Sequence, residues 1–307
     1  MERVDILLAT YNGTSYINDF FASLSAQTYT NWRLIVRDDC SRDDTLSKVI
    51  AFEENNRGKV LVLDSEHNIG VKRNFSELMS RSSAKYIFFA DQDDVWRSDK
   101  IKLTLDFAKR IDDVDDIPLL VHTDLTVVDE ELRVISSSFW RYQGLHPERG
   151  RNLKDIMVQN VVTGCTMMIN RKLIEIAGPV PSSARMHDWW LAILACAAGN
   201  VYYINKQTVL YRQHGNNDIG AKRYSFKSAL YALKYPSTHR DSLILTQDQA
   251  NAFIAIYHQI ISEHDTTILS KFANMKHQGF IGKRITAARL RLRKNGILRT
   301  IGFYALM

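Results

Sequence analysis

Short apolar runs, each ending in a polar cluster and giving way to an amphipathic stretch, recur through the first half of the chain. VDILLAT (4–10), WRLIVRDD (32–39), KVLVLDS (59–65) and YIFFADQDD (86–94) have the apolar continuity of strands. Between them, TSYINDFFASLSAQ (14–27), DDTLSKVIAFEE (43–54), VKRNFSELMSRS (71–82) and SDKIKLTLDFAKRI (98–111) place apolar residues at helical spacing. This rhythm predicts an α/β fold, a mostly parallel sheet with helices on both faces. In such sheets ligands gather off the carboxyl ends of the strands. Those ends hold Thr10, Tyr11 and Asn12, then Asp38 and Asp39, then Asp91, Asp93 and Asp94.

After residue 112 the rhythm loosens. PLLVHTDLTVVD (118–129), VVTGCTMMIN (161–170), VYYI (201–204) and TVLYRQH (208–214) read as strands, and RKLIEIAG (171–178) and HDWWLAILACAAGN (187–200) as helices. Beyond Asn217 only helical patterns remain, so the chain divides into an α/β domain, 1–217, and a helical C-terminal region, 218–307. From Lys276 onward there are eight Lys or Arg and no acidic residue; these exceed the whole-chain net charge of +6, so the rest of the protein is net acidic. The basicity therefore belongs to a tail. KRITAARLRLRKNGILRTIGFYALM (283–307) mixes those cations with Ile and Leu, a pattern suited to an amphipathic helix on an anionic membrane surface or to a packed helix with a basic face. No apolar run approaches the roughly 18 residues of a spanning helix. The charged start MERVDILLAT lacks a signal-peptide layout, and the three dispersed cysteines, Cys40, Cys165 and Cys196, fit a reducing compartment, so a cytoplasmic location is expected. No nucleic-acid-binding module is recognisable, and no nucleic-acid partner is expected.

Asp91, Asp93 and Asp94 crowd like charges at a strand end, a cost that requires compensation. Asp-x-Asp at such a point can direct two carboxylates onto one Mg2+ or Mn2+, cations that accept carboxylate, water and phosphate oxygens together; the bland reading is a solvated acidic turn. Asp39 can accept from a nucleobase or ribose, or cap a turn. Thr10, Tyr11 and Asn12 can face a base, with Tyr11 stacking, or simply form the turn that Asn-Gly favours. Lys72 and Arg73, beside a glycine turn at a helix start, suit an anionic diphosphate or a solvated face. Asp188 opens an apolar helix among His187, Trp189 and Trp190, where a raised pKa would suit a general base and an N-cap role is equally natural. In YRQHGNN (211–217), Arg212 can bind phosphate, and His214 can serve as a third metal ligand, a phosphate donor or neither.

Taken in order, ATYNG (9–13), RDDCSRDDT (37–45), NIGVKRNF (68–75), FADQDDVW (89–96), TGCTMMIN (163–170), HDWW (187–190) and YRQHGNN (211–217) resemble the GT-A family 2 glycosyltransferases, in particular their bacterial rhamnosyltransferase-like branch. The resemblance implies a Rossmann-like GT-A sheet and an inverting, metal-dependent transfer from a nucleotide-diphospho-sugar. On it, Thr10, Tyr11, Asn12 and Asp39 contact the nucleoside, Asp91 and Asp93 flank metal and diphosphate, with Arg73 and Arg212 as further donor contacts, and Asp188 is the base. It implies a lipid-linked saccharide acceptor of surface polysaccharide synthesis at the inner face of the plasma membrane, with dTDP-L-rhamnose as leading donor and UDP-hexoses as alternative. No QxxRW motif follows the base, so few additions rather than a long polymer are expected. Two competing readings are an aspartate-nucleophile phosphatase, since DQDDV also fits a DxDx[TV] loop, and a non-catalytic sugar-binding module.

Overall fold

Leu7, Ile35, Ile87 and Phe89 point to one side of a sheet, and Val4, Ile6, Leu8, Leu34, Phe88 and Ala90 to the other. Both sides are buried, so these strands read as continuous apolar runs rather than alternating ones. The computed structural model describes residues 1–215, 220–221 and 236–307; the expected boundary near 218 and the site candidate Asn216 lie outside them.

The parallel half of the sheet is formed by β1 (Val4–Thr10), β2 (Trp32–Asp38), β3 (Val60–Leu63) and β4 (Tyr86–Ala90), in the order β3-β2-β1-β4. The helices between them are α1 (Ile17–Ser25), α2 (Thr45–Asn55) and α3 (Val71–Arg81). Phe20 and Leu24 of α1 fill one face, and Phe75 and Leu78 of α3 the other. Register places Thr10 opposite Asp38 and Leu8 opposite Ala90, so the polar clusters of three strands emerge side by side.

A two-residue strand, β5 (Val95–Trp96), follows the acidic turn and leads to α4 (Lys100–Asp115). Asp99 precedes α4 without capping it through its side chain; Gln27 Oε1 instead accepts from the Ile101 N–H. Then come β6 (Leu119–Val128), β7 (Val134–Ser136), α5 (Phe139–Gln143), α6 (Leu153–Val158), β8 (Met168–Asn170), α7 (Arg171–Ala177), α8 (His187–Ala198) and β9 (Asn200–Arg212). The sheet continues β4-β8-β6-β9-β5, with β8 antiparallel to both β4 and β6, and β9 parallel to β6. The two strands expected at 201–204 and 208–214 are one. The polar Asn205-Lys206-Gln207 step is absorbed as a register shift against Thr123 and Asp124, with Gln207 Nε2 donating to Asp124 Oδ2 at 3.0 Å. Sequence alone cannot separate such a bulge from a turn.

The C-terminal helices are α9 (Pro236–Tyr257), α10 (Glu263–Ala273), α11 (Phe280–Arg289) and α12 (Ile297–Leu306). Phe253, Tyr257, Leu269, Phe272, Phe303 and Met307 join the same hydrophobic core as Trp190 and Phe75. The single amphipathic tail helix suggested by 283–307 is two short helices, broken where Arg291 and Gly296 adopt positive φ. Among the described residues no helix is long and apolar enough to cross a membrane.

At the base of β1 a fully buried carboxylate is compensated locally. Asp5 accepts from Arg33 Nε and Nη2 at 2.9 and 2.7 Å, from Ser82 Oγ, and from the Ser83 and Ala84 N–H groups. Burial works to raise its pKa, but these partners outweigh burial and hold it below the usual carboxylate range. Asp5→Ala strands the Arg33 charge in a half-enclosed site and is expected to cost about 3–5 kcal/mol at neutral pH. Urea unfolding measures this directly, and an unchanged midpoint contradicts the account.

Candidate active site

The strand-end clusters front one large cavity of about 1770 Å³. Thr10, Tyr11, Asn12, Asp39, Asp91, Asp93, Asp188 and His214 all line it; Lys72, Arg73 and Arg212 do not.

At the β1 and β2 ends, turns hold one another. Asp38 accepts from Thr10 Oγ1 at 2.8 Å and from the Ser41 N–H and hydroxyl, and so serves the turn rather than the cavity. Asp39 takes Arg37 Nη1 and the Ile69 N–H on Oδ1, at 2.8 and 2.9 Å, and the Gly70 N–H on Oδ2 at 2.8 Å. That leaves Oδ2 with acceptor capacity on the cavity side. Asn12, at φ 47°, gives its N–H to Ser41 Oγ and accepts the Arg42 N–H. Tyr11 is 45% exposed, so its ring is available for stacking.

Gln92, at the middle of Asp-Gln-Asp, had no role in the sequence reading. Its Oε1 accepts from the Tyr11 N–H at 3.0 Å and its Nε2 donates to Tyr11 O at 2.8 Å, clasping the β1 and β4 loops together. A Cβ on Gly13 would stand 2.2 Å from this amide, which is why a glycine follows Asn12. Gln92→Ala and Gly13→Ala are both expected to release the clasp and speed hydrogen exchange at the Tyr11 amide. Exchange at the wild-type rate in both variants contradicts the clasp.

The three aspartates are compensated in different ways. Asp94 is fully buried; burial first, then the Asp93 and Asp91 charges, push its carboxyl well above the usual range. Its Oδ1 accepts from the Arg212 N–H at 3.3 Å, while Oδ2 is buried without a partner. Beneath it, Lys100 is completely enclosed, donates to Cys165 O at 3.0 Å and lies over the Trp96 ring. Burial pulls the Lys100 ammonium down to about 8, with Cys165, Asp94 and Asp91 opposing. Asp93 Oδ2 lies 2.8 Å from His214 Nε2, and His214 stacks on Tyr16. The pairing of β5 with β9, Val95 to Leu210 and Trp96 to Val209, brings these distant residues together.

Arg212 lies on the same strand, yet its guanidinium is buried: it donates to Asp93 O, Glu130 O and Asp19 Oδ2, and lies over Tyr16. Arg73 is exposed on α3, away from the cavity wall. Lys72 donates to Ser182 O and Ala184 O at 2.6 and 2.7 Å, bracing the loop before α8.

Asp91, Asp94 and Cys165 present ligand atoms within 4.8 Å of one another. Burial, with Asp94 and Asp91, pushes the Cys165 thiol well above its ordinary range, so it is held protonated and is a poor ligand. The hard carboxylate oxygens that face the cavity are those of Asp91 and Asp93. An oxygen set of this kind fits Mg2+ or Mn2+ rather than a thiophilic ion.

Asp188 sits in the first turn of α8. Its Oδ1 accepts from the Trp189 N–H at 2.5 Å, its Oδ2 from the Gly164 N–H at 3.1 Å, and Asn160 adds a side-chain bond. Burial pushes the carboxyl up to about 6 against these donors. The neighbouring His187 is structural. Its ring stacks on Phe75 at 3.9 Å, neither nitrogen has a partner, and burial pulls its pKa to about 3. Asn160 and Gly164 lack any periodic signal, so only the fold reveals them as partners of Asp188.

A family model for glycosyl transferase family 2 matches residues 5–176, and the chain belongs to that family. A dTDP-rhamnosyl transferase, RfbG of Shigella flexneri, is 29% identical over 242 residues, covering 72% of this chain and 76% of that one. A UDP-Glc:alpha-D-GlcNAc-diphosphoundecaprenol beta-1,3-glucosyltransferase, WfgD of Escherichia coli, is 31% identical over 102 residues, 33% of this chain and 39% of its own length. In fold, the chain is similar to a mannosyltransferase of Pyrobaculum calidifontis solved with GDP-Man and Mn2+, with TM-score 0.58, 14% identity, and coverage of 94% of this chain and 74% of that one. The expected GT-A architecture and the helical C-terminal part are those observed.

Proposed function

We propose that the chain transfers a sugar from a nucleotide-diphospho-sugar to a hydroxyl of a saccharide acceptor, with inversion at the anomeric carbon. The observation that carries this reading is that Thr10, Asp39, Asp91, Asp93 and Asp188, far apart in the chain, line one cavity. The nucleoside lies against Thr10, Asn12 and the free acceptor capacity of Asp39, with Tyr11 stacking on the base. Asp91 and Asp93 would hold the divalent cation, with His214 orienting Asp93 through their 2.8 Å contact. Such a cation, when bound, offsets the charge that develops on the departing diphosphate. Asp188 takes the acceptor hydroxyl proton as that oxygen bonds to the anomeric carbon and the carbon–oxygen bond to the diphosphate breaks. The Trp189 and Gly164 N–H groups fix the carboxylate orientation. Arg212 serves from beneath, positioning Asp93 and Tyr16.

The rhamnosyltransferase relative supports dTDP-L-rhamnose as donor, and the glucosyltransferase relative supports a UDP-hexose as the second choice. The diphosphoundecaprenol-linked acceptor in the glucosyltransferase's name supports a lipid-linked acceptor, and a place in bacterial surface polysaccharide synthesis such as O-antigen is part of the same proposal. Membership of family 2 disfavours the phosphatase reading, and the enclosed Asp188 with a raised pKa disfavours a binding-only module.

The test incubates the protein with Mn2+ and a panel of dTDP-, UDP- and GDP-sugars plus acceptor, following nucleoside diphosphate release. Asp188→Asn is expected to lower transfer by about 10²–10⁴-fold. Because only the ionised carboxylate accepts a proton and its pKa is raised, wild-type transfer falls as pH drops through about 6. Full transfer by Asp188→Asn sinks the assignment of the base.

Location at an anionic membrane surface is part of the same proposal. Phe280, Ile281, Ile297 and Ile301 are 67, 70, 79 and 59% exposed on α11 and α12, in a segment with eight cations and no carboxylate. Apolar side chains exposed beside a surplus of cations complement anionic lipid. Vesicle flotation is expected to fall when Ile297 and Ile301 are changed to Ser, and to fall in high salt; flotation unaffected by both removes the membrane role.

A further inference from the structure

Past Asp188 the cavity continues between the loop before α8 and the C-terminal helix α12, and its character changes. Arg185, Lys294 and Arg299 line it there. Burial first, then Arg299 and Arg185, pull the Lys294 ammonium down to about 8, so the three cations feel one another. Burial alone lowers Arg185, with no carboxylate opposing. Among the described residues neither Arg185 nor Lys294 forms an ion pair, and Lys294 Nζ meets only the Phe303 ring, 5.8 Å away. The Arg185 guanidinium donates to Ser242 O and Oγ at 3.3 and 3.4 Å, while Lys72 braces its loop. Arg185 and Lys294 are partly buried cations that share a wall with no carboxylate paired to either, an arrangement that an anionic ligand would relieve. The rest of this wall is apolar: Leu243, Leu298, Phe303, Leu306 and Met307.

Bonded links run from Asp188 both toward the aspartate cluster and toward these cations. Asp91 gathers with Cys165, whose neighbour Gly164 donates to Asp188. On the other flank Asp188 bonds Asn160, whose neighbour Gln159 accepts from the Asn295 N–H at 2.7 Å, next to Lys294. Asp188 is thus linked through neighbouring residues to both groups, and all of them line the one cavity. We infer that Arg185, Lys294 and Arg299 form an acceptor subsite that takes a phosphate or diphosphate group carried by the acceptor, with the apolar wall taking the aliphatic chain attached to it. This rests on the reading of Asp188 as the base, and it deepens that reading by assigning residues to the acceptor.

Calorimetry on the full chain separates the two. The donor site is first saturated with Mn2+ and whichever of dTDP, UDP or GDP binds; binding of none of them is the failure of the proposed function. Farnesyl diphosphate and inorganic pyrophosphate are then titrated in turn. Farnesyl diphosphate is expected to bind the nucleotide-saturated protein more tightly than pyrophosphate. Lys294→Gln and Arg185→Gln are expected to weaken it about tenfold or more, with Lys294→Arg restoring it and nucleotide affinity unchanged. Pyrophosphate binding as tightly as farnesyl diphosphate overturns the apolar half. Equal farnesyl diphosphate affinity in the wild type and Lys294→Gln, or nucleotide affinity falling in step, overturns the subsite, the latter by assigning the cations to the donor diphosphate.

Discussion

Four residues at the end of β4 hold three carboxylates, and most of the site is arranged around that repulsion. Asp94 is withdrawn into the interior, where burial and its neighbours raise its pKa, Lys100 is enclosed beneath it, and Asp93 is met by His214. Of the three, Asp91 and Asp93 line the cavity, so what looks like one acidic cluster in sequence becomes a graded set. The β5–β9 pairing is what allows this, since it carries Arg212 and His214 across to the acidic turn. A local charge problem is thereby settled by a long-range strand contact.

The same sheet determines where the remaining parts lie. Burial on both faces fixes the register of β1, β2 and β4, which places Thr10 beside Asp38 and lets the Asp39 N–H donate to Thr10 O at 2.7 Å. On the far side, α8 is an apolar helix whose first turn is the one polar part aimed at the cavity. The C-terminal helices share the core of α8 and close the cavity with a wall that the first half of the chain does not supply. The one cavity is lined both by carboxylates and by a basic, apolar set, an asymmetry that suits two chemically different substrates.

Much of this was legible in the sequence because strand ends are punctuated by a change from apolar to acidic residues. Thr10, Asp39, Asp91 and Asp93 stand at such punctuation and Asp188 at the start of an apolar helix, and all reach the cavity. Contacts made by polar residues without periodicity were not legible: the Gln92 clasp on Tyr11, the Asn160 bond to Asp188, and Gln27 supporting α4. Basic residues were the least readable. Lys72, Arg73 and Arg212 all looked suited to phosphate, yet one braces a loop, one faces solvent and one is buried under Tyr16. A cation's charge says what it would bind, while its direction depends on the packing of the strand or helix that carries it. The tail shows the same limit: its composition fitted both a surface helix and a packed one, and each of its two helices packs on the core while leaving apolar side chains exposed.

The central claim is that the β4-end carboxylates carry the donor together with a divalent cation. Its most direct test is Mn2+ binding followed by electron paramagnetic resonance, with and without a nucleoside diphosphate, in the wild type and in Asp91→Asn. The account predicts that nucleotide and Mn2+ tighten each other's binding in the wild type and that this coupling is lost in Asp91→Asn. Nucleotide affinity that is indifferent to Mn2+, or coupling that survives in Asp91→Asn, would contradict it.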